Sequence, residues 1–422
     1  AVRALNAELG DPRRRLSDSV LATLLILCLF HVCDTGVAQF KAQFAGVKKL
    51  LAIRMRGAGA VSDSLKWFIR LFTWLDTMTA TTNNREAELG SACLDIATSP
   101  NEEWGLENII GCDSGLFKLV AQLSRLNLLS RNQTVRSLTP PNLYHATASL
   151  PASMLHTRQG STCGDTLPAS GPINIYGFPI PTPGTYDTEM QALSPIFWSE
   201  WFSLRQSLES WRMPQSDEIS FPFSHAAVPQ LISPGYMSPP SSPDSQYFAV
   251  HQNLPDMFNI SESFRHAAIL YCERLAYPDL PSSHPRIQNI VQMAVRHISA
   301  VQSDVFLLWP LFITGSECVL EEHRAMIRSR CTDISKDSGF FNNISCLGLL
   351  ERVWAQNPGI GAVSPGSDSN GLLHDQVLEN AVAGFVGSKV GLENIQPDAV
   401  GHGFRWDRVM QSKPADGEYM MV

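Results

Sequence analysis

Apolar residues recur at the helical interval through most of this chain. Leu65, Phe68, Leu71, Phe72, Leu75 and Met78 fall three and four apart, with Trp67 and Trp74 widening the stripe. That spacing lays one apolar face along a helix. Ser62 or Asp63 stands where an N-cap belongs. Leu116, Leu119, Val120, Leu123 and Leu126 repeat the pattern and predict a single helix over 114–129. Two more helices are predicted over 17–30 and 36–56. Ser17 or Asp18 opens the first, and Gly57 and Gly59 close the second. Four helices with short connections predict antiparallel packing in a block covering 1–131. Residues 20–32 are the most apolar stretch, between Asp18 and Asp34. A bilayer span takes about 20 residues, so this stretch reads as a buried core helix.

The period is lost over 132–187, where prolines punctuate a Ser/Thr/Gly-rich segment, and again over 213–258. Both read as disordered insertions. Between them, 188–212 reads as a helix carrying Leu193, Phe197, Trp198, Trp201 and Leu204. A second helical block is predicted over 259–422, with helices at 264–275, 286–301, 320–334 and 343–354. A flexible 356–370 loop and weaker helical patterns at 372–386 and near Trp406 complete it. Within this block the run 307–318 (LLWPLFITGSEC) is apolar all round and so must be buried on every side. Pro310 and Gly315 inside it imply a start or bend and a close helix contact. No alternating pattern is long enough for a sheet. The fold class expected is all-α, a multi-helical array of antiparallel helices with long proline/serine-rich disordered insertions.

Composition narrows the chemistry. Charged residues make up 17% of the chain and the net charge is −8, which argues against a nucleic-acid-binding module. The nine cysteines are scattered singletons and read as reduced thiols. Asn-x-Ser/Thr triplets at Asn132, Asn259 and Asn343 read as chance matches. Asp34-Thr35-Gly36 and Asp113-Ser114-Gly115 have the form of aspartic-protease triplets, but they fall at helix ends, where Asp and Gly serve as caps and turns. Cys28, His31, Cys33 and Asp34 match no common zinc spacing. Gly359-Ile360-Gly361 lacks the strand and third glycine of a dinucleotide loop. Glu321 and Arg324 can pair across one helical turn. Lys41, Lys48, Lys49, Arg54 and Arg56 make the second helix basic, which reads as a solvated face. Ser233, Ser238 and Ser242 each precede proline and are candidate phosphorylation sites. No catalytic, metal-binding or DNA-binding residue is assigned in this chain, and an enzyme is not expected.

One set of segments carries a family resemblance by its order. Val20-Leu21-Ala22-Thr23-Leu24-Leu25 comes first, then Gly46-Val47-Lys48-Lys49-Leu50-Leu51 ending at Arg56-Gly57, then Phe72-Thr73-Trp74-Leu75-Asp76 and Ile110-Gly111-Cys112 with Leu116. Ala268-Ile269-Leu270-Tyr271 follows, then Trp309-Pro310-Leu311-Phe312-Ile313-Thr314-Gly315, Cys318, Arg324 and Leu349-Leu350-Glu351-Arg352-Val353-Trp354. Together they resemble the fungal-specific transcription factor domain, the regulatory region of fungal binuclear zinc cluster transcription factors. Gln43 stands where that family usually has histidine, and no Cys-x-x-Cys pair occurs, so the six-cysteine cluster lies outside this chain or has been lost from it.

The resemblance implies a nuclear protein that controls RNA polymerase II transcription. Its full-length form would bind promoter DNA and transcriptional co-regulators. Zinc is implied only for the family's N-terminal cluster, and no cofactor is expected in this chain. A homodimer and a small-molecule inducer are candidate partners, and a membrane is not. Two alternatives stand beside this reading. One is a ligand-sensing helical domain with Trp74, Trp309 and Phe312 as pocket or core groups. The other is a helical scaffold without direct DNA binding.

Overall fold

The structure, a computed structural model, describes residues 2–56, 61–99, 105–131, 193–214, 243–302, 306–356, 404–412 and 417–422. Helices dominate. They are α1 (Val2–Gly10), α2 (Asp18–Asp34), α3 (Phe40–Arg56), α4 (Asp63–Thr82), α5 (Ser91–Ala97), α6 (Leu106–Ile110), α7 (Ser114–Val120) and α8 (Leu123–Ser130). There follow α9 (Pro195–Ser210), α10 (Pro243–Ala276), α11 (Pro285–Ala300), α12 (Leu308–Gly315), α13 (Glu321–Ser338), α14 (Asn342–Gln356) and α15 (Arg405–Ser412). The extended structure among the described residues is one antiparallel pair, β1 (Val37–Ala38) with β2 (Glu418–Tyr419), in which Val37 faces Tyr419. The protein is all-α.

Local chemistry accounts for several boundaries. Ser62 Oγ accepts from Leu65 N at 3.3 Å and opens α4 as an N-cap. Ser194 does the same for α9, with Pro195 in the first turn. Asp113 Oδ1 accepts from Leu116 N at 2.7 Å and starts α7. Gly339, at φ +72°, closes α13 in the left-handed conformation that a Cβ disfavours. Pro310 lies in the first turn of α12, where its missing N–H leaves no hydrogen bond unmade, so it starts the helix and no bend is needed.

Several expectations are corrected. The helix expected over 114–129 is two, α7 and α8. The chain tightens at the junction, where Gln122 N bonds Leu119 O only three residues back. Short α1, α5 and α6 carry too few turns for a period to register. The loose segment expected up to 258 is helical from Pro243 onward, and α10 runs straight through Pro255. A proline removes one donor from a helix without dictating that it ends there. The stretch 20–32 is not buried all round: Ile26 and Phe30 are 63% and 61% exposed. An apolar pattern without a polar face cannot say which side is covered, and α2 packs mainly on α3 and α4. The insertion 132–187, most of 213–258, the 356–370 loop beyond Gln356 and the helical pattern at 372–386 lie outside the described residues.

Burial centres on α4, α10 and α12. Every residue of α4 from 68 to 82 is buried, and so are all eight residues of α12. α10 packs against α7, α8, α9, α11 and α12, while α12 also touches α13 and α14. One continuous hydrophobic cluster takes in side chains from both blocks.

Candidate functional site

A helix ends in carbonyls that its own backbone cannot satisfy. At the end of α4 the partners come from far along the chain. The Tyr271 hydroxyl donates to Thr81 O at 2.9 Å, and Trp406 Nε1 donates to Thr82 O at 3.4 Å. Trp309 Nε1 donates to Thr81 Oγ1 at 2.9 Å. Thus α10, α12 and α15 all converge on the last turn of α4. Their rings pack on one another: Trp309 stacks on Phe264 with centroids 5.6 Å apart, and Phe404 stacks on Trp406 at 4.1 Å. Phe312 lies 5.0 Å from Trp406. The indole and phenol bodies supply burial while their polar tips satisfy the helix end.

Two ionic clusters flank this joint. In one, Asn84 holds the left-handed φ of +54° that Asn tolerates. From there its Nδ2 donates to Asp407 Oδ1 at 2.6 Å, and its Oδ1 accepts from Asn127 Nδ2 and Arg131 Nη2 at 2.8 and 2.9 Å. Arg131 also pairs with Asp407 at 2.5 Å. In the other, Arg274 Nε donates to Glu317 Oε1 at 2.8 Å, Ser282 bonds the same carboxylate, and Arg405 Nε lies 3.7 Å from it. Burial lowers the pKa of Arg405, Glu317 opposes that shift, and the nearby Arg274 and Arg408 add to it.

Beside these clusters lies an open cleft with about 220 Å³ of space, lined by Pro278, Asp279, Leu280, Pro281, Gln356, Arg405 and Arg408. A smaller recess lined by Arg131, Arg274 and Phe404 has about 20 Å³, enough for one water molecule. Guanidinium groups on the walls suit an anion. Trp74, Trp309 and Phe312 line neither space. All three are buried, Trp74 against Phe306 at 5.6 Å and the other two within the aromatic joint.

The remaining sequence candidates fall elsewhere. Ser233, Ser238 and Ser242 lie outside the described residues, as does Gly359. Cys28 Sγ donates to Gln43 Oε1 at 3.2 Å, and burial pushes its thiol up to about 12. Cys272 and Cys318 are also pushed up to about 12 by burial. Asp113 is a cap, and its Oδ1 also accepts from Trp211 Nε1 at 3.1 Å. Asn343 is buried and donates to Phe340 O, so it is closed to glycosylation. On α3, Arg54 pairs with Asp18 at 2.6 Å and Lys48 with Glu88 at 3.9 Å, while Lys41, Lys49 and Arg56 are exposed. Glu321 bonds Arg328. Arg324 instead donates to Cys318 O at 3.0 Å and lies over the Trp354 ring.

One cluster is new. Glu262, His266 and His297 each offer a ligand atom, all within 4.8 Å of one another. Burial pulls the Glu262 pKa upward, but hydrogen bonds from His266 and Arg265 outweigh it and bring it down to about 2. Burial holds His266 down to about 4, so its imidazole is neutral. In sequence only the four-residue spacing of Glu262 and His266 hints at this. His297 joins through the packing of α11 on α10.

No described helix is long and apolar enough to cross a membrane. The family model described as the fungal specific transcription factor domain matches residues 1–414. No curated protein and no solved structure matches the chain.

Proposed function

Since the chain belongs to the fungal specific transcription factor domain family, we propose that it is the regulatory and effector region of a zinc-cluster transcription factor acting on RNA polymerase II promoters in the nucleus. In this reading promoter DNA is bound by a zinc cluster outside the chain. The helical region restrains or permits activation through co-regulators, in monomeric or homodimeric form. The observation that carries it is a match that runs through both helical blocks. A net charge of −8 fits a region whose partners are proteins, with DNA contacts made elsewhere. Transcript profiling of a deletion strain, read together with the coding sequence upstream of Ala1, is the test. The expected result is a coherent set of altered transcripts and a six-cysteine cluster upstream. An unchanged transcriptome, or a tagged full-length protein excluded from the nucleus, overturns the reading.

A second reading is favoured by the cleft at Arg405 and Arg408. There the carboxylates of Glu317 and Asp279 stand against the guanidinium groups of Arg274, Arg405 and Arg408, which leaves a net positive charge to attract a small anionic inducer. Thermal-shift screening of carboxylates and phosphates against amino acids, sterols and xenobiotics tests it. Stabilisation by anions that disappears in Arg408→Gln is the expected outcome, and no shift with any anion counts against it.

A further inference from the structure

Glu262 and His266 sit four residues apart on α10 and so project from one face of it. His266 Nε2 lies 3.3 Å from Glu262 Oε2. His297 reaches the same oxygen from α11, its Nε2 4.0 Å away. The two imidazole rings lie nearly parallel, 5.5 Å apart. Glu262 and His266 are buried, and His297 keeps 14% of its side chain open to solvent.

The hydrogen bonding of His297 fixes the orientation of its ring. Its Nδ1 lies 3.0 Å from Asn259 Oδ1, which can only accept. In the tautomer that donates from Nδ1 to this oxygen, Nε2 turns its lone pair toward Glu262. In that tautomer the lone pair faces Glu262 Oε2 across 4.0 Å. Two electron-rich atoms held this way repel each other unless a cation joins them, and Arg265 Nη2, 2.6 Å from that oxygen and 3.3 Å from His266 Nε2, now fills that place. An amide that fixes the far nitrogen of an imidazole is the orienting contact that metal-binding histidines use.

Arg265 is the cation already present. It donates to Glu262 Oε2 from Nε and Nη2 at 3.0 and 2.6 Å, and to Leu208 O from Nη1 at 3.4 Å. The neighbouring carboxyl of Glu209 is held by Arg205 at 2.6 Å.

We propose that Glu262, His266 and His297 form a binding site for one divalent transition-metal ion. Two imidazoles and one carboxylate match zinc best. Tetrahedral zinc holds its ligand atoms about 3.3 Å apart. The cluster reaches that spacing by contracting less than about 1.5 Å from separations of at most 4.8 Å. The solvent edge of His297 leaves the fourth position open to water. Bound there, the ion ties α10 to α11 next to the aromatic joint.

Cobalt(II) titration of the purified 422-residue chain tests this. The expected result is one equivalent bound, with the visible d–d bands of a tetrahedral site, displaced by zinc. His297→Ala, on the solvent edge and checked for folding by circular dichroism, is expected to weaken binding about a hundredfold. Arg265→Gln removes the competing cation and is expected to tighten binding about tenfold, a gain that no loss of folding can mimic. The proposal is overturned if the folded wild type shows no d–d bands, or if His297→Ala leaves them unchanged. A thiolate charge-transfer band also overturns it, because it puts the ion on cysteine.

Discussion

Phe312 is fully buried, its ring 5.0 Å from Trp406, on a helix with no exposed residue. An aspartate there has no cation or donor to meet and must ionise in an apolar setting or stay protonated. Phe312→Asp is expected to cost about 4 kcal/mol or more in urea unfolding, enough to unfold much of the protein at 25 °C. Melting curves that superimpose on the wild type would show that α12 is not a core element. Apolar run and burial agree at this residue because a helix without a polar face has one place to go. Tyr271, Trp309 and Trp406 are different. Their hydrogen bonds to 81 and 82 link residues far apart in sequence, and no spacing announces them.

Helix contacts are decided by small residues. A Cβ on Gly315 would lie 2.9 Å from Leu350 Cδ1 and 3.4 Å from Ile327 Cγ2, so α12 approaches α13 and α14 closely there. The Gly315 carbonyl also accepts from Trp354 Nε1 at 2.8 Å. Gly315→Ala must push Leu350 aside in a packed core and is expected to lose about 1–3 kcal/mol by chemical denaturation. An unchanged unfolding midpoint would mean that the contact yields without strain. The close approach was foreseeable from glycine in an apolar helix, but its partners were not. The helical stripes of α4 and α9 were equally legible. The split between α7 and α8 and the start of α10 at Pro243 were not, because a single tightened turn or a proline changes no period.

The segment 417–422 closes the molecule. β2 pairs with β1, and Met420 N donates to Gly36 O at 2.8 Å. Glu418 accepts from Lys41 N at 2.6 Å, at the start of α3, and from Arg85 Nε at 2.7 Å. Asn83 bonds the Tyr419 backbone on both sides, and Asn342 Nδ2 donates to Val422 O at 3.0 Å. Tyr419, Met420, Met421 and Val422 are all buried. Deleting 417–422 is expected to lower stability by on the order of 5 kcal/mol, since each large apolar side chain contributes about 1.5–3 kcal/mol. Loss of less than about 1 kcal/mol by differential scanning fluorimetry and urea melts would assign the segment a peripheral role. This clasp has no signature in the chain, and of the Glu262–His266–His297 cluster only the four-residue spacing of Glu262 and His266 shows there.

The amino-acid order by itself determined the all-helical class, the buried stripes of α4 and α9, the burial of α12 and the family. Each of these follows from local period or from motifs in sequence. Tertiary structure alone decided that α2 leaves Ile26 and Phe30 exposed, that distant aromatics finish α4, and that His297 comes within 4.0 Å of Glu262. The physical reason is one of range. Periodicity reports the environment of a residue relative to its own helix axis, whereas a hydrogen bond, an ion pair or a metal site depends on which helix lies opposite.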